Sequence, residues 1–253
     1  MRNRVWLVAA VTLVVLIVTS NAHELLSLLS AYRQLHRTAP FYYVESIDKI
    51  SGAFLCVLAI LLLRRAGLRD AARELGLSAP VLPAITFALG VSLPMLIGFA
   101  FTRSLNPRLQ IPSLLFLTVF SPFIEELEYR GFGVRQFQRG TGWPFWAVVW
   151  PSAILFGLGH VEKGQSVQEM AALFFITGSG AVLVSWLLYR WQNLWIPVAL
   201  HICMNLWWEL FSVARTTIGG WFPFAMQTLT ILLAILVTLY FTRSKVAHVA
   251  QSA

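Results

Sequence analysis

Glu125 and Glu126 stand side by side in the segment Ser121-Pro-Phe-Ile-Glu-Glu-Leu-Glu-Tyr-Arg-Gly131, and Arg130 follows Glu126 by four residues. On a helix, Glu126 and Arg130 share a face while Glu125 points about 100° away. The spacing divides the labour. Arg130 compensates Glu126 and fixes it, and Glu125 is left to project elsewhere, where a carboxylate could serve as a general base. Glu128, taken alone, reads as part of a solvated helix end. A second cluster is Phe156-Gly-Leu-Gly-His160, in which Phe156 and His160 share a helix face. A third is His201-Ile-Cys-Met-Asn205, which sets two hydrogen-bond donors side by side and could hold a developing oxyanion.

Each cluster also has a plain structural reading, as a hydrogen-bonded core histidine or as polar glue between helices. Together they supply a carboxylate base, a group to hold water and an oxyanion hole, the parts needed to hydrolyse a peptide bond without a covalent intermediate. Other protease signatures are absent from the chain: there is no GxSxG and no HExxH, and the only aspartates, Asp48 and Asp70, sit at loops or span ends.

The elements that must position these residues are membrane helices. Of 253 residues, 58% are hydrophobic and 12% charged, and the mean hydropathy is +0.71. A soluble domain carries about a quarter charged residues and seldom has several apolar runs of roughly 18 residues. The expected fold is all-α, a polytopic bundle of about eight spans around a membrane-embedded polar cavity. The spans are expected near 5–20, 47–63, 81–101, 111–132, 143–160, 171–189, 194–211 and 222–241. They group into N-terminal helices over 1–110, a core with all three clusters over 111–212, and a final span with a short tail over 213–253. The first apolar run follows Arg2 and Arg4 and precedes Ser20-Asn21-Ala22, which resembles a cleavage site; an uncleaved span is the preferred reading.

The formal charge of +8 does not indicate nucleic acid, because the Lys and Arg lie mostly at the ends of apolar runs. Their distribution favours cytoplasmic N- and C-termini in a cell membrane, probing the positive-inside bias with Lys49 and Arg215 counted on the far side. Cys56 and Cys203 lie inside apolar runs and read as buried small hydrophobes. His23, Glu24 and His36 read as ordinary loop residues.

The ordered set EELEYR (125–130), FGLGH (156–160) and HICMN (201–205) resembles the CAAX-protease and bacteriocin-processing family of intramembrane glutamic endopeptidases, whose pattern is EExxxR, FxxxH and HxxxN or HxxxD. The resemblance covers roughly 111–210. It implies a protease with no metal or other cofactor, acting near the C-terminal tail of a membrane-associated protein or peptide. In that scheme Glu125 activates water, His160 helps to hold it, Glu126 and Arg130 position the pair, His201 and Asn205 form the oxyanion hole, and Phe156 packs beneath His160. Glu128 is a departure, because the family is commonly apolar there. Two readings stand beside this one: a scaffold or transporter with a buried polar cluster, and a metal-dependent hydrolase using Glu125, Glu126, His160 and His201 as ligands.

The depths pose a question. Counted from Ile111, Glu125 falls ~21 Å along its span, while His160 counted from Trp143 falls ~26 Å along its own. Starting the latter span at Trp150, with Pro151 bending the chain, would bring His160 to the depth of the others, in a hydrated cavity opening toward the cytoplasm.

Overall fold

The computed structural model describes residues 2–65, 67–213 and 219–251; of these, 2, 3 and 244–251 are described by backbone alone, and Arg215 lies outside the described residues. The described residues form helices, with one isolated bridge between Leu105 and Phe211. Helix α1 (Arg2–Ser20) is followed by the short helices Ala22–Leu26 and Ser30–Thr38, then α2 (Phe41–Arg64), the short α3 (Leu68–Leu75) and α4 (Leu82–Thr102). A continuous helical rod, α5, occupies 111–141. It is followed by α6 (Phe145–Leu158), α7 (Val167–Trp191), α8 (Trp195–Leu210) and α9 (Trp221–Gln251).

A helix therefore occurs at each of the eight expected places. Five of these stretches are long and apolar enough to cross a bilayer: Phe41–Arg64, Leu82–Thr102, Phe145–Lys163, Val167–Trp191 and Trp221–Arg243. The chain is an integral membrane protein. The remaining three places differ for identifiable reasons. The apolar part of α1 is short, α8 has 16 residues, and α5 is interrupted by wide turns and ends in a polar stretch.

Helix α5 changes winding along its length. It runs as α over Ile111–Leu115, π over Phe116–Phe120, α over Ser121–Glu125, π over Glu126–Val134 and α again over Arg135–Thr141. π turns are rare and concentrate at functional positions. A sequence cause is visible for the first of them. Ser121 N–H bonds back to the Phe116 carbonyl, and at Pro122 the chain has no N–H to give to the next carbonyl, that of Leu117. The wide second segment also brings its backbone against neighbours. A Cβ on Gly131 would stand 3.0 Å from the Leu75 carbonyl and 3.1 Å from Leu194, and one on Gly133 would stand 3.1 Å from Leu16.

The helix contacts fix which ends lie together. Trp6 packs on Trp143 at 5.4 Å, Arg64 reaches Gln136 and Glu74, and Arg139 also reaches Glu74. Phe145 stacks on Tyr189, and Arg190 bonds Thr242. This face gathers the start of α1, the end of α2, α3, the end of α5, the start of α6 and the end of α7. Lys49, expected at the far surface, instead lies within α2, eight residues past its start, or ~12 Å along it.

The depth question resolves without the proposed repair. Helix α5 does not stop at Phe132 but continues to Thr141, because Arg135, Gln136 and Gln138 lower the hydropathy without breaking the helix. Glu125 is thus ~24 Å from the end of its rod, comparable with the ~22 Å from Phe145 to His160. Trp143, not Trp150, meets the partner tryptophan at the face, and Pro151 sits inside α6. His160 lies just past the end of α6 that is opposite the Trp6–Trp143 contact.

One packing consequence is measurable. Gly52 on α2 faces the Glu128 carboxylate so closely that a Cβ there would collide with Glu128 Oε1 and stand 3.3 Å from Thr19. Gly52→Val is expected to lower stability by about 1–3 kcal/mol through overpacking, read as a drop in melting temperature in detergent. Gly180, with nothing near its Cβ position, is the control that should tolerate Ala.

Candidate active site

The three sequence clusters meet. Glu126 is 1% exposed, as is Arg130, and the Arg130 Nε stands 3.4 Å from Glu126 Oε2. The i,i+4 relation expected from sequence therefore holds although the turn is π-wound. Burying this pair needs further compensation, and the guanidinium finds it in rings. It lies 4.3 Å from the Phe156 centroid and 5.9 Å from that of Tyr129. The second oxygen of Glu126, Oε1, is 2.9 Å from His201 Nδ1. One buried carboxylate thus ties α5 to α8.

Glu125 is not the unpartnered carboxylate the sequence suggests. Its Oε1 accepts from Lys49 Nζ at 2.7 Å and from Ser121 Oγ at 2.8 Å. Both partners hold the same oxygen, which leaves Oε2 available. The side chains of Lys49 and Glu125 remain 23% and 13% exposed, so the pair borders an accessible space. Glu125 also lies within electrostatic reach of His201 and His160.

His160 caps α6. Its Nδ1 is 2.8 Å from the Phe156 carbonyl, and its ring lies 4.6 Å from the Phe156 ring. A carbonyl can only accept, so Nδ1 carries the proton and Nε2 is left as an acceptor in the neutral ring. The Phe156 ring in turn meets Tyr129 edge-on at 5.1 Å, and Ser152 donates to the Tyr129 carbonyl at 2.7 Å, joining α6 to the wide part of α5. Asn205 donates through Nδ2 to the Leu117 carbonyl at 3.2 Å. That is the carbonyl which Pro122 cannot serve. The proline in the sequence and the asparagine in α8 are two halves of one junction, and Asn205 retains a second amide N–H.

Sequence reasoning missed Lys49. It was counted among loop charges because it lies near the start of its apolar run, yet a lone cation eight residues into a spanning helix is costly enough to demand a carboxylate partner. The reading of Glu128 as a solvated helix end is also corrected. It is 4% exposed, packed against Gly52, and within electrostatic reach of Lys49 and Glu125. Likewise His23 and His36 are not plain loop residues. His23 Nδ1 lies 3.1 Å from Asp48 Oδ2, Tyr32 donates to Asp48 Oδ1 at 2.6 Å, and the rings of His23 and His36 are 5.1 Å apart. Burial, with Asp48 beside it, pushes the Tyr32 phenol above its ordinary range.

Among the described residues, His23, Glu45 and Asp48 bring ligand atoms within 4.8 Å of one another, close enough to share a cation. Glu125, Glu126, His160 and His201 form no such group.

Residues 107–207 match the sequence model of a family described as type II CAAX prenyl endopeptidase Rce1-like. All three clusters fall inside that interval. The family is one of peptidases, and the match agrees with the resemblance carried by the motifs. No curated protein and no solved structure matches the chain.

Proposed function

We propose that the chain is an intramembrane endopeptidase in which Glu125 activates water for attack on a peptide bond of a membrane-associated protein or peptide. The observation that carries this reading is the asymmetric hold on Glu125. Lys49 and Ser121 both take Oε1, which leaves Oε2 to take a proton from water, with His160 and His201 within electrostatic reach of the carboxylate. A water there donates one hydrogen to Glu125 Oε2 and the other to the His160 Nε2 acceptor. As it attacks the carbonyl carbon, Glu125 takes the proton and then passes it to the leaving amine.

The oxyanion that forms needs donors. Asn205 offers its remaining N–H. His201 offers Nε2–H only as the imidazolium, because its Nδ1 already faces the Glu126 carboxylate. Glu126 is thus shared between Arg130 and His201, and sets the orientation of the donor rather than touching substrate. Lys49 and Ser121 are positioning residues for the base. The substrate is taken to be a C-terminal tail of a membrane-associated protein, with the N- and C-termini of the enzyme on the cytoplasmic side of a cell membrane.

Lys49→Met is expected to lower the cleavage rate about 10²-fold, by freeing the Glu125 oxygen that must be immobilised. Lys49→Arg should restore part of it, and a purely structural role would instead show equal losses for both variants alongside a lowered melting temperature. The reading as a whole is tested with purified protein in liposomes, given membrane proteins extracted from cells that lack it. New C-termini should form in the presence of a divalent-metal chelator. Cleavage that stops with the chelator and returns with zinc would transfer the assignment to a metal hydrolase.

A further inference from the structure

The two faces of the bundle differ in charge and in access to the site. On the face holding the start of α1 lie Arg4, Arg64, Arg69, Arg73, Arg139 and Arg190, with Asp70 and Glu74 as local acids. On the opposite face, Arg33, Arg37, Arg103, Arg108 and Lys163 stand among Glu24, Glu45, Glu162, Glu169 and Glu209. Moving Lys49 into the membrane interior leaves the opposite face poorer still in cations. Loops rich in Arg and Lys stay on the cytoplasmic side.

Between the site and the arginine-rich face, the rod is sealed. Glu126 and Arg130 are 1% exposed, Phe132 and Leu194 are fully buried, and Gly131 abuts Leu75 and Leu194. The accessible groups are the others: Lys49 at 23%, His201 at 21% and Glu125 at 13%. Just beyond His160 the chain leaves the helix into the polar Val161–Lys163 turn and Gln165, on the face away from the arginines. Along α2, Lys49 is ~12 Å from that side's end and ~22 Å from Arg64. One turn from Lys49, on the same side, Ser46 joins Tyr42, Phe116, Val119, Phe120 and Phe123 in lining an apolar groove of 470 Å³ between α2 and α5.

We infer that the site opens on the extracytoplasmic side, and that its substrate is a membrane-anchored peptide whose apolar segment lies in the α2–α5 groove with its scissile bond in the outer half of the bilayer. This rests on the protease reading above. The groove ends where Lys49 and Glu125 begin, since Phe123 and Ser46 precede them by two and three residues. A segment lying along it would therefore deliver its backbone to Glu125 Oε2. A cytosolic tail would have to pass the sealed layer at Arg130 and Phe132.

The side is tested without any cleavage, in intact bacterial cells treated with a membrane-impermeant maleimide. The native Cys56 and Cys203 are buried and give the background. Gln165→Cys should label in intact cells, and Arg69→Cys only after permeabilisation. Arg69→Cys labelling in intact cells while Gln165→Cys stays protected would overturn the inference and leave the protease reading standing. The groove is tested with Val119→Trp, at an exposed wall position outside the catalytic cluster. It should reduce cleavage of a tail substrate at least tenfold with the melting temperature unchanged, whereas full activity would remove the groove as the substrate's seat. Loss of Glu125-dependent cleavage altogether would instead strike the protease reading, whatever side the maleimide reports.

Discussion

Glu125→Gln is expected to abolish cleavage, with a fall of about 10²–10⁴-fold, the usual contribution of a positioned general base. The amide is isosteric and still accepts from Lys49 and Ser121 through its carbonyl oxygen, so the geometry around Oε1 survives. What is lost is the second oxygen's ability to take a proton. Stability should change little. Lys49 is 23% exposed, so it is not stranded in the way a sealed cation would be. A variant that folds, melts like wild type and does not cut would locate the base at this position. Equal activity would remove Glu125 from the chemistry.

The second large effect is on the buried pair. Glu126→Gln leaves Arg130 sealed at 1% exposure without a carboxylate, and removing one partner of a buried ion pair costs about 3–5 kcal/mol. The remaining neighbours of the guanidinium, the Phe156 and Tyr129 rings, offset only part of that. His201 would lose its anionic partner at the same time. The expected result is a steep fall in melting temperature together with loss of activity. The double variant Glu126→Gln/Arg130→Met separates the two effects. Replacing both charges should recover much of the stability, because apolar substitution of a whole buried pair is often neutral or better. It should not recover activity, because His201 remains without the carboxylate that orients it. Recovery of both would reduce Glu126 and Arg130 to a structural clasp.

Much of this arrangement was legible in the sequence because polar residues in apolar runs are costly and must find one another. The positions of the helices followed from hydropathy, and the meeting of Glu126 with Arg130 followed from a four-residue spacing. That spacing tolerates both α and π winding, which is why the pair could be read without foreseeing the wide turns. The π segments themselves were not legible, since Pro122 also fits an ordinary first turn of a helix. Its consequence, an orphan carbonyl served by Asn205 from another helix, is a tertiary fact. Lys49 was misread for a different reason. Charge near the end of a hydropathy window looks like a topology signal, yet α2 begins with Phe41, Tyr42 and Tyr43, whose rings extend the helix eight residues beyond the cation. The end of α5 was misplaced by the same rule acting in reverse, where polar residues lowered the hydropathy of a helix that continues.

The most direct measurement compares the C-termini of membrane proteins by mass spectrometry in cells carrying wild type, Glu125→Gln or no copy of this chain. Truncated tails should be present with wild type alone, and the residues at the new ends would name the substrate class. Identical sets of C-termini in all three strains, with wild type and Glu125→Gln equally abundant in the membrane, would contradict the assignment and favour a scaffold or transporter built around the same polar cluster.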